Sequence, residues 1–308
     1  MIFLRHPAAA LFATAFAAAV LPVSAQPINP VVREGVTEKI SDHVHVIPDG
    51  SVPLVPNVGI VVGTRGIFIV DTGLGMPNGQ AVVREAAKLS QTTEIHIGST
   101  HFHPEHDLGA NAFPPTAKML RSTDQQKDID EFGLQMARAF SARSPYTAEA
   151  LKDAAFRKAD TLFEREHVVD LGGVRVRAIA MGANHTRGDT VFLVEPDGIL
   201  FSGDVVMKPL PSFASPYSST KHWLASLDAL AKLQPKKLVP SHGPIGDATY
   251  IADYRTYFTT IQTRTAELKK QGKTIDEAAQ TIATELQSKY PDRGRVTGAV
   301  RNAYAEAP

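Results

Sequence analysis

Short apolar runs separated by turn residues fill most of the chain. Val44–Ile47, Val58–Val62 and Ile67–Val70 have the length and composition of buried strands, and Gly63-Thr64-Arg65-Gly66 joins the last two as a hairpin. Asp71-Thr72-Gly73 ends that hairpin. From Gln80 to Leu89 the period changes: Ala81, Val82, Val83, Ala86 and Leu89 fall on one face of a helix. Glu94–Ser99 then reads as a strand. The second half repeats this order. Val174–Ala180 is a strand, and Val191–Val194 and Ile199–Ser202 pair across Glu195-Pro196-Asp197-Gly198. Gly203-Asp204 ends the pair, His222–Leu233 is helical, and the strand Lys237–Pro240 runs into Ser241-His242-Gly243. Each half therefore runs hairpin, Asp, helix, strand, His. Asp71 corresponds to Asp204 and His101 to His242. Such an internal duplication of an α/β unit predicts two facing sheets with helices outside, and a site where strand ends converge.

The flanking segments read differently. Residues 1–25 have one arginine, an apolar run and Val23-Ser24-Ala25, the pattern of a cleaved secretory leader. Pro22 and Ser24 shorten the run below the roughly 20 apolar residues of a membrane anchor. The expected location is therefore periplasmic or secreted, with no membrane attachment after cleavage. Residues 26–36 are a Pro-rich tail, and 37–250 form the main domain. Within it, 121–160 is polar and helical in pattern, either a packed insertion or a cover over the site. Residues 251–308 form a helical extension with a structural role. Thr274-Ile275-Asp276-Glu277 opens one of its helices as a capping box.

Composition narrows the chemistry. The 32 basic and 32 acidic residues leave no excess charge for a phosphate backbone, so a nucleic-acid partner is not expected. The chain has no cysteine. It can form no disulfide, Cys-rich structural zinc site or thiolate-held cluster, and any metal must be held by His, Asp and Glu.

Those residue types concentrate at predicted strand ends. Ser99-Thr100-His101-Phe102-His103-Pro104-Glu105-His106 follows one strand, His185 another, Asp204 the second hairpin and His242 the last strand. Neutral imidazole and carboxylate suit zinc and other borderline divalent ions, with iron or manganese also accommodated. This set, HxHxEH followed by His185, Asp204 and His242, resembles the metallo-β-lactamase fold superfamily from about Val44 to Gly246. The resemblance implies an αββα four-layer sandwich. It also implies two zinc ions per chain, one held by His101, His103 and His185 and the other by His106, Asp204 and His242, with Asp204 shared. Asp71 matches the family aspartate that orients ligand imidazoles. The implied activity is a metallohydrolase, in which metal-activated hydroxide attacks a small ester, lactone, thioester or amide.

Two positions depart from the family pattern. Glu105 stands where Asp is usual, and its extra methylene moves the carboxylate by about 1.5 Å. It is expected still to ligate the second metal, and Glu105 and Asp204 are the candidate catalytic carboxylates. Asn184 replaces a common Gly before His185, a change expected to alter only the local backbone. Asp204 also points away from true β-lactamases, which generally have Cys or Ser there, although lactam cleavage is kept as an alternative. An iron enzyme without hydrolytic activity and a metal-dependent binding protein complete the alternatives. His43, His45 and His96 read as strand histidines. The Pro53–Asn57 loop borders the substrate region in the family. Lys208, Tyr217 and Lys221 could meet a substrate anion but more simply face solvent.

Overall fold

The structure is a computed structural model that describes residues 28–308. The leader read at residues 1–25 lies outside the described residues. Seven strands form the first sheet in sequence order: β1 (Glu38–Lys39), β2 (Val44–Ile47), β3 (Val58–Val62), β4 (Gly66–Val70), β5 (Glu94–Gly98), β6 (Lys118–Ser122) and β7 (Thr161–Phe163). The second sheet has the order β12-β11-β10-β9-β8. Its strands are β8 (Glu166–Asp170), β9 (Arg175–Gly182), β10 (Asp189–Glu195), β11 (Ile199–Gly203) and β12 (Lys237–Pro240).

Period-two side-chain direction assembles the layers. Val44, Val46, Val61, Phe68 and Val70 of the first sheet meet Val176, Ala178, Phe192, Val194, Phe201 and Val239 of the second. Alternate residues of the same strands face outward. Ile60, Ile67, Ile69 and Ile97 pack on Ala81, Val82 and Ala86 of helix α1 (Gly75–Leu89). On the far side Val191, Leu193, Leu200 and Leu238 pack on Trp223, Leu227 and Leu230 of a later helix. The result is the αββα sandwich expected. The inner glycines have a packing reason. A Cβ on Gly59 would lie 2.4 Å from the Phe201 ring, and one on Gly98 would lie 2.6 Å from the Phe192 ring.

Both halves carry the anticipated unit. The β3–β4 hairpin is followed by α1 and by β5, parallel to β4; the β10–β11 hairpin is followed by a helix and by β12, parallel to β11. Boundaries differ in ways local chemistry explains. Helix α1 begins at Gly75, five residues before the apolar periodicity, because its first turn packs through small residues; a Cβ on Gly75 would meet the Ala150 carbonyl oxygen at 2.0 Å. Strands β6 and β8 carry Lys118, Arg121, Glu166 and Asp170, and this charge hides them from hydrophobic patterning.

After β5 comes the short helix α2 (Pro104–Asp107). Between β6 and β7 lies a helical segment over 123–150. It comprises α3 (Thr123–Asp128), a π turn over Ile129–Gly133, α4 (Leu134–Ser141) and α5 (Pro145–Ala150). Arg121 and Ser122, read from sequence as the start of this segment, lie in β6 instead. The Arg121 guanidinium is fully buried and paired with Asp107, so its polarity does not mark an exposed helix. Past β11 come α6 (Thr220–Lys232), α7 (Thr249–Lys270), α8 (Ile275–Glu285) and α9 (Arg293–Glu306). The last three share one apolar core with α6 through Phe258, Ile261, Ile282, Val296 and Val300. No helix among the described residues is long and apolar enough to cross a membrane.

Candidate metal centre

The strand ends deliver every ligand candidate to one cleft. After β5 the chain turns through His101 and His103 into α2, with Pro104 in the first helical turn and His103 at its N-cap. Pro suits that turn because its missing N–H would have no partner there. Buried Asp107 holds α2 from behind. Its two oxygens lie 2.7 and 3.2 Å from Arg121 Nη2 and Nε, and Arg121 also donates to the Arg157 carbonyl. From the other side, the Thr72 backbone N–H and hydroxyl both donate to the His106 carbonyl. A four-residue helix is too short to be stable alone, so these tertiary bonds set the aim of Glu105 and His106.

Three imidazole nitrogens meet first. His103 Nδ1 lies 3.0 Å from His101 Nε2 and 3.3 Å from His185 Nε2. His185 Nδ1 is 2.6 Å from the Ser212 carbonyl, which places its proton on Nδ1 and a lone pair on Nε2. One proton cannot satisfy three converging nitrogens. The spacing matches the tetrahedral edge of about 3.3 Å that Zn–N bonds of about 2.0–2.1 Å imply. A second group is formed by Glu105, His106 and His242, whose candidate donor atoms lie within 4.8 Å of one another; His101, His106 and Asp204 form a third such group. Asp204 thus stands between the two sets, with Oδ2 3.4 Å from His185 Nε2. Among the described residues, Glu105 Oε2, His106 Nε2 and Asp204 Oδ1 are buried without a hydrogen-bond partner. Buried polar atoms without partners are costly, and divalent cations would satisfy all three. The donor set fits two metal ions.

A shell of hydrogen bonds aims the rings. Asp71 Oδ1 accepts the Thr100 N–H at 2.7 Å, and Oδ2 accepts the Thr100 hydroxyl at 3.0 Å and His106 Nδ1–H at 2.9 Å. The Thr100 oxygen, 3.2 Å from His101 Nδ1, can then accept that ring's proton. One carboxylate therefore orients two imidazoles, one directly and one through Thr100. His242 Nδ1 lies 3.1 Å from the Val55 carbonyl. Asp189 accepts the N–H groups of His185 and Thr186, at 2.6 and 3.0 Å, and the Thr186 hydroxyl at 2.6 Å. Asn57 ties the His242 turn down by donating to the carbonyls of Pro240 and Gly243. Asn184 closes its turn by donating to Met181 and Gly182 carbonyls.

The charges fit cation binding. Burial, reinforced by neighbouring histidines, holds His101 and His103 well below the usual imidazole range, so both offer neutral nitrogens. Burial also lowers His185 against the opposing pull of Asp204. For His106, burial acts downward but the Asp71 carboxylate outweighs it, and the ring is held up at about 9. Asp204 would be raised by burial, yet the surrounding histidines bring it down to about 2.

The cleft has a volume of about 670 Å3. Val52, Pro53 and Leu54 form one wall, Met136 and Phe140 of α4 another, and Arg143, Arg295, Ser212 and Ala214 complete its lining. The loop expected at Pro53–Asn57 does border it. The segment between β6 and β7 reaches over it through α4, and the C-terminal extension contributes Arg295, beyond its structural role. Lys208 lies over the Tyr250 ring and Tyr217 under Arg187, neither in this cleft. His43 pairs with Asp197 and His96 with Glu94, far from the centre. Sequence reasoning missed Thr100, Asp107, Asp189, Asn57, Arg143 and Arg295. Only Asp107 and Asp189 carried a local signal, as acidic residues within a few positions of a ligand.

An αββα sandwich with His and carboxylate donors at its converging strand ends defines a class, the metallo-β-lactamase fold. The sequence model of the metallo-beta-lactamase superfamily matches residues 51–242, and the chain belongs to that superfamily. It is 24% identical over 260 residues to a linear primary-alkylsulfatase of Pseudomonas sp. (strain ATCC 19151), a match covering 72% of this chain and 49% of the relative. A stereoselective inverting sec-alkylsulfatase from Pseudomonas sp. superposes with a TM-score of 0.69 at 16% identity, over 88% of this chain and 50% of that one. The chain thus spans about half the length of these two proteins. A metallo-beta-lactamase from Pontibacter korlensis superposes with a TM-score of 0.57 at 21% identity, over 72% of this chain and 98% of that one.

Proposed function

We propose that this protein is an exported, dinuclear metal-dependent hydrolase of small esters. The observation that carries the reading is the convergence of two donor sets on the cleft floor, His101–His103–His185 and Glu105–His106–His242, with Asp204 between them. Zinc is the favoured metal because the donors are imidazole and carboxylate, and iron or manganese are the alternatives. The leader pattern at residues 1–25 supports export to the periplasm or exterior. The substrate class includes carboxylic esters, lactones, thioesters and amides. The two alkylsulfatase relatives add sulfate esters to it.

A pair of bound divalent ions would supply a water ionised near neutral pH and a Lewis acid for the substrate oxygen. The chain's own residues do the rest. Asp71 and Thr100 fix the tautomers of His106 and His101, and the Ser212 carbonyl fixes that of His185. Asp204 is ionised at any pH near neutrality and has one oxygen free to accept a proton or a second cation. Glu105 is assigned to the second metal because a carboxylate oxygen of it lies within 4.8 Å of candidate donor atoms of His106 and His242.

The test combines metal analysis with a substrate panel. Wild-type protein is expected to hold two ions per chain and to cleave at least one of a carboxylic ester, lactone, thioester, sulfate ester or β-lactam. Glu105→Gln should fall toward one ion, while Glu105→Asp keeps two. Unchanged occupancy in Glu105→Gln would remove Glu105 from the second site, and two bound ions with no turnover across the panel would favour a binding protein.

A further inference from the structure

We propose that Arg143 is the residue by which this cleft selects substrates carrying an oxyanion, a sulfate or carboxylate group, beside an apolar portion. The inference rests on the metallohydrolase reading and narrows its substrate class.

Three carboxylates and two arginines line the cleft. Its carboxylates are Asp49, Glu105 and Asp204. Asp49 is committed, its oxygens accepting the backbone N–H groups of Gly243 at 2.7 Å and Ser51 at 2.9 Å. Glu105 and Asp204 are the proposed metal ligands. Of the cleft's two arginines, Arg295 is also committed: Nε lies 3.3 Å from Asp292, and Nη1 donates to the Leu210 carbonyl. Arg143 differs. Among the described residues its guanidinium has no carboxylate or carbonyl partner, yet its position is set. Its backbone N–H donates to the Phe140 carbonyl at 3.1 Å, and its guanidinium carbon lies 3.5 Å from the Phe140 ring centroid. That ring is buried and stands 5.9 Å from the His103 ring.

Arg143 is exposed at the cleft rim, and an exposed arginine is ordinarily just solvated. This one differs in that its guanidinium is stacked one ring away from a proposed metal ligand, with its N–H fork uncommitted. Its charge reaches the site, adding to those that depress His103. A planar fork of N–H donors matches the paired oxygens of a sulfate or carboxylate, a geometry an ammonium does not reproduce. The walls beside it, Leu54, Met136 and Phe140, are apolar. Oxyanion and apolar portion are therefore offered adjacent seats.

The experiment uses the full zinc-loaded protein with Arg143→Ala and Arg143→Lys, each first matched to wild type in zinc content and melting temperature. The first arm measures kcat/KM on 4-nitrophenyl sulfate, mono-4-nitrophenyl glutarate and neutral 4-nitrophenyl butyrate. In Arg143→Ala the ratio of anionic to neutral substrate should fall at least tenfold, mainly through KM, with Arg143→Lys in between. Whichever anionic substrate loses more identifies the group read. The second arm measures binding of octanesulfonate and octanoate by calorimetry and needs no turnover. Affinity for one of them should fall at least tenfold in Arg143→Ala. Unchanged affinity for both overturns the proposal, whatever the first arm shows. Failure of wild type to cleave any ester would count against the hydrolase reading and leave the binding arm to decide the role of Arg143.

Discussion

The two halves of the sandwich share a backbone plan and use it differently. In the first half, Asp71 follows β4 with a φ of 62°, and all its contacts point inward, to Thr100 and His106. In the second half, the left-handed position falls at Gly203, with a φ of 58°, and Asp204 comes one residue later. The cause is a register shift between Phe201 and Gly203 in the β11–β12 pairing, which has no counterpart between β4 and β5. With one extra residue, the aspartate of the second half faces the cleft with one oxygen unpartnered, where that of the first half is bonded to Thr100 and His106. The following loops diverge too. After β5 the chain builds α2 and offers two histidines to one donor set and Glu105 and His106 to the other. After β12 it offers His242 alone. Duplication supplied two strand ends facing one another, and the bulge and the short helix divided the labour between them.

This division predicts a ranking of substitutions. Asp204→Asn should have the largest effect. It removes the charge shared by both donor sets, and kcat/KM should fall at least about 10³-fold, about 4 kcal/mol of transition-state stabilisation, with loss of bound metal. Asp71→Asn should be milder, about 10–100-fold in metal affinity or activity, because ligand rings lose their orientation but not their donor atoms. Asn is the informative choice, since it tolerates the left-handed backbone at this position. Equal effects from the two would mean that Asp71 and Asp204 have not diverged as the geometry says.

The smallest expected effect, counted per pH unit, separates the two proposed metal positions. His101 and His103 are depressed, so the first set is already deprotonated near neutrality and a metal displaces few protons from it. His106 is held up at about 9, so below that pH a metal in the second set must displace its proton. Second-site affinity should therefore fall about tenfold per pH unit as pH drops below 9, while the first site stays nearly flat. Metal titrations at pH 9, 8 and 7 measure both slopes. Parallel slopes would show that the Asp71 contact does not set His106 apart.

Legibility in the sequence followed the range of the interactions. The strands that build the inner core were readable because a short apolar run such as Ile67-Phe68-Ile69-Val70 is a local property. The candidate ligands were readable because they cluster in the loops and the short helix that directly follow such strands. Arg143 was not, since its meaning comes from Phe140 packing beside His103, two segments far apart in the chain. Asn57 was not, since its amide bonds carbonyls at Pro240 and Gly243, more than 180 residues away. The burial of Arg121 was not legible either, since it depends on the ion pair with Asp107, fourteen residues away.

By itself, the sequence determined the two-sheet architecture, the order of the repeated units and the set of candidate donors, because periodicity and residue type act locally. The tertiary structure decided which donors meet, how Asp204 came to face the cleft while Asp71 supports it, and that Glu105 reaches His106 and His242. Those outcomes depend on a one-residue bulge and on buried hydrogen bonds between distant segments, which no local pattern of hydrophobic and polar residues encodes.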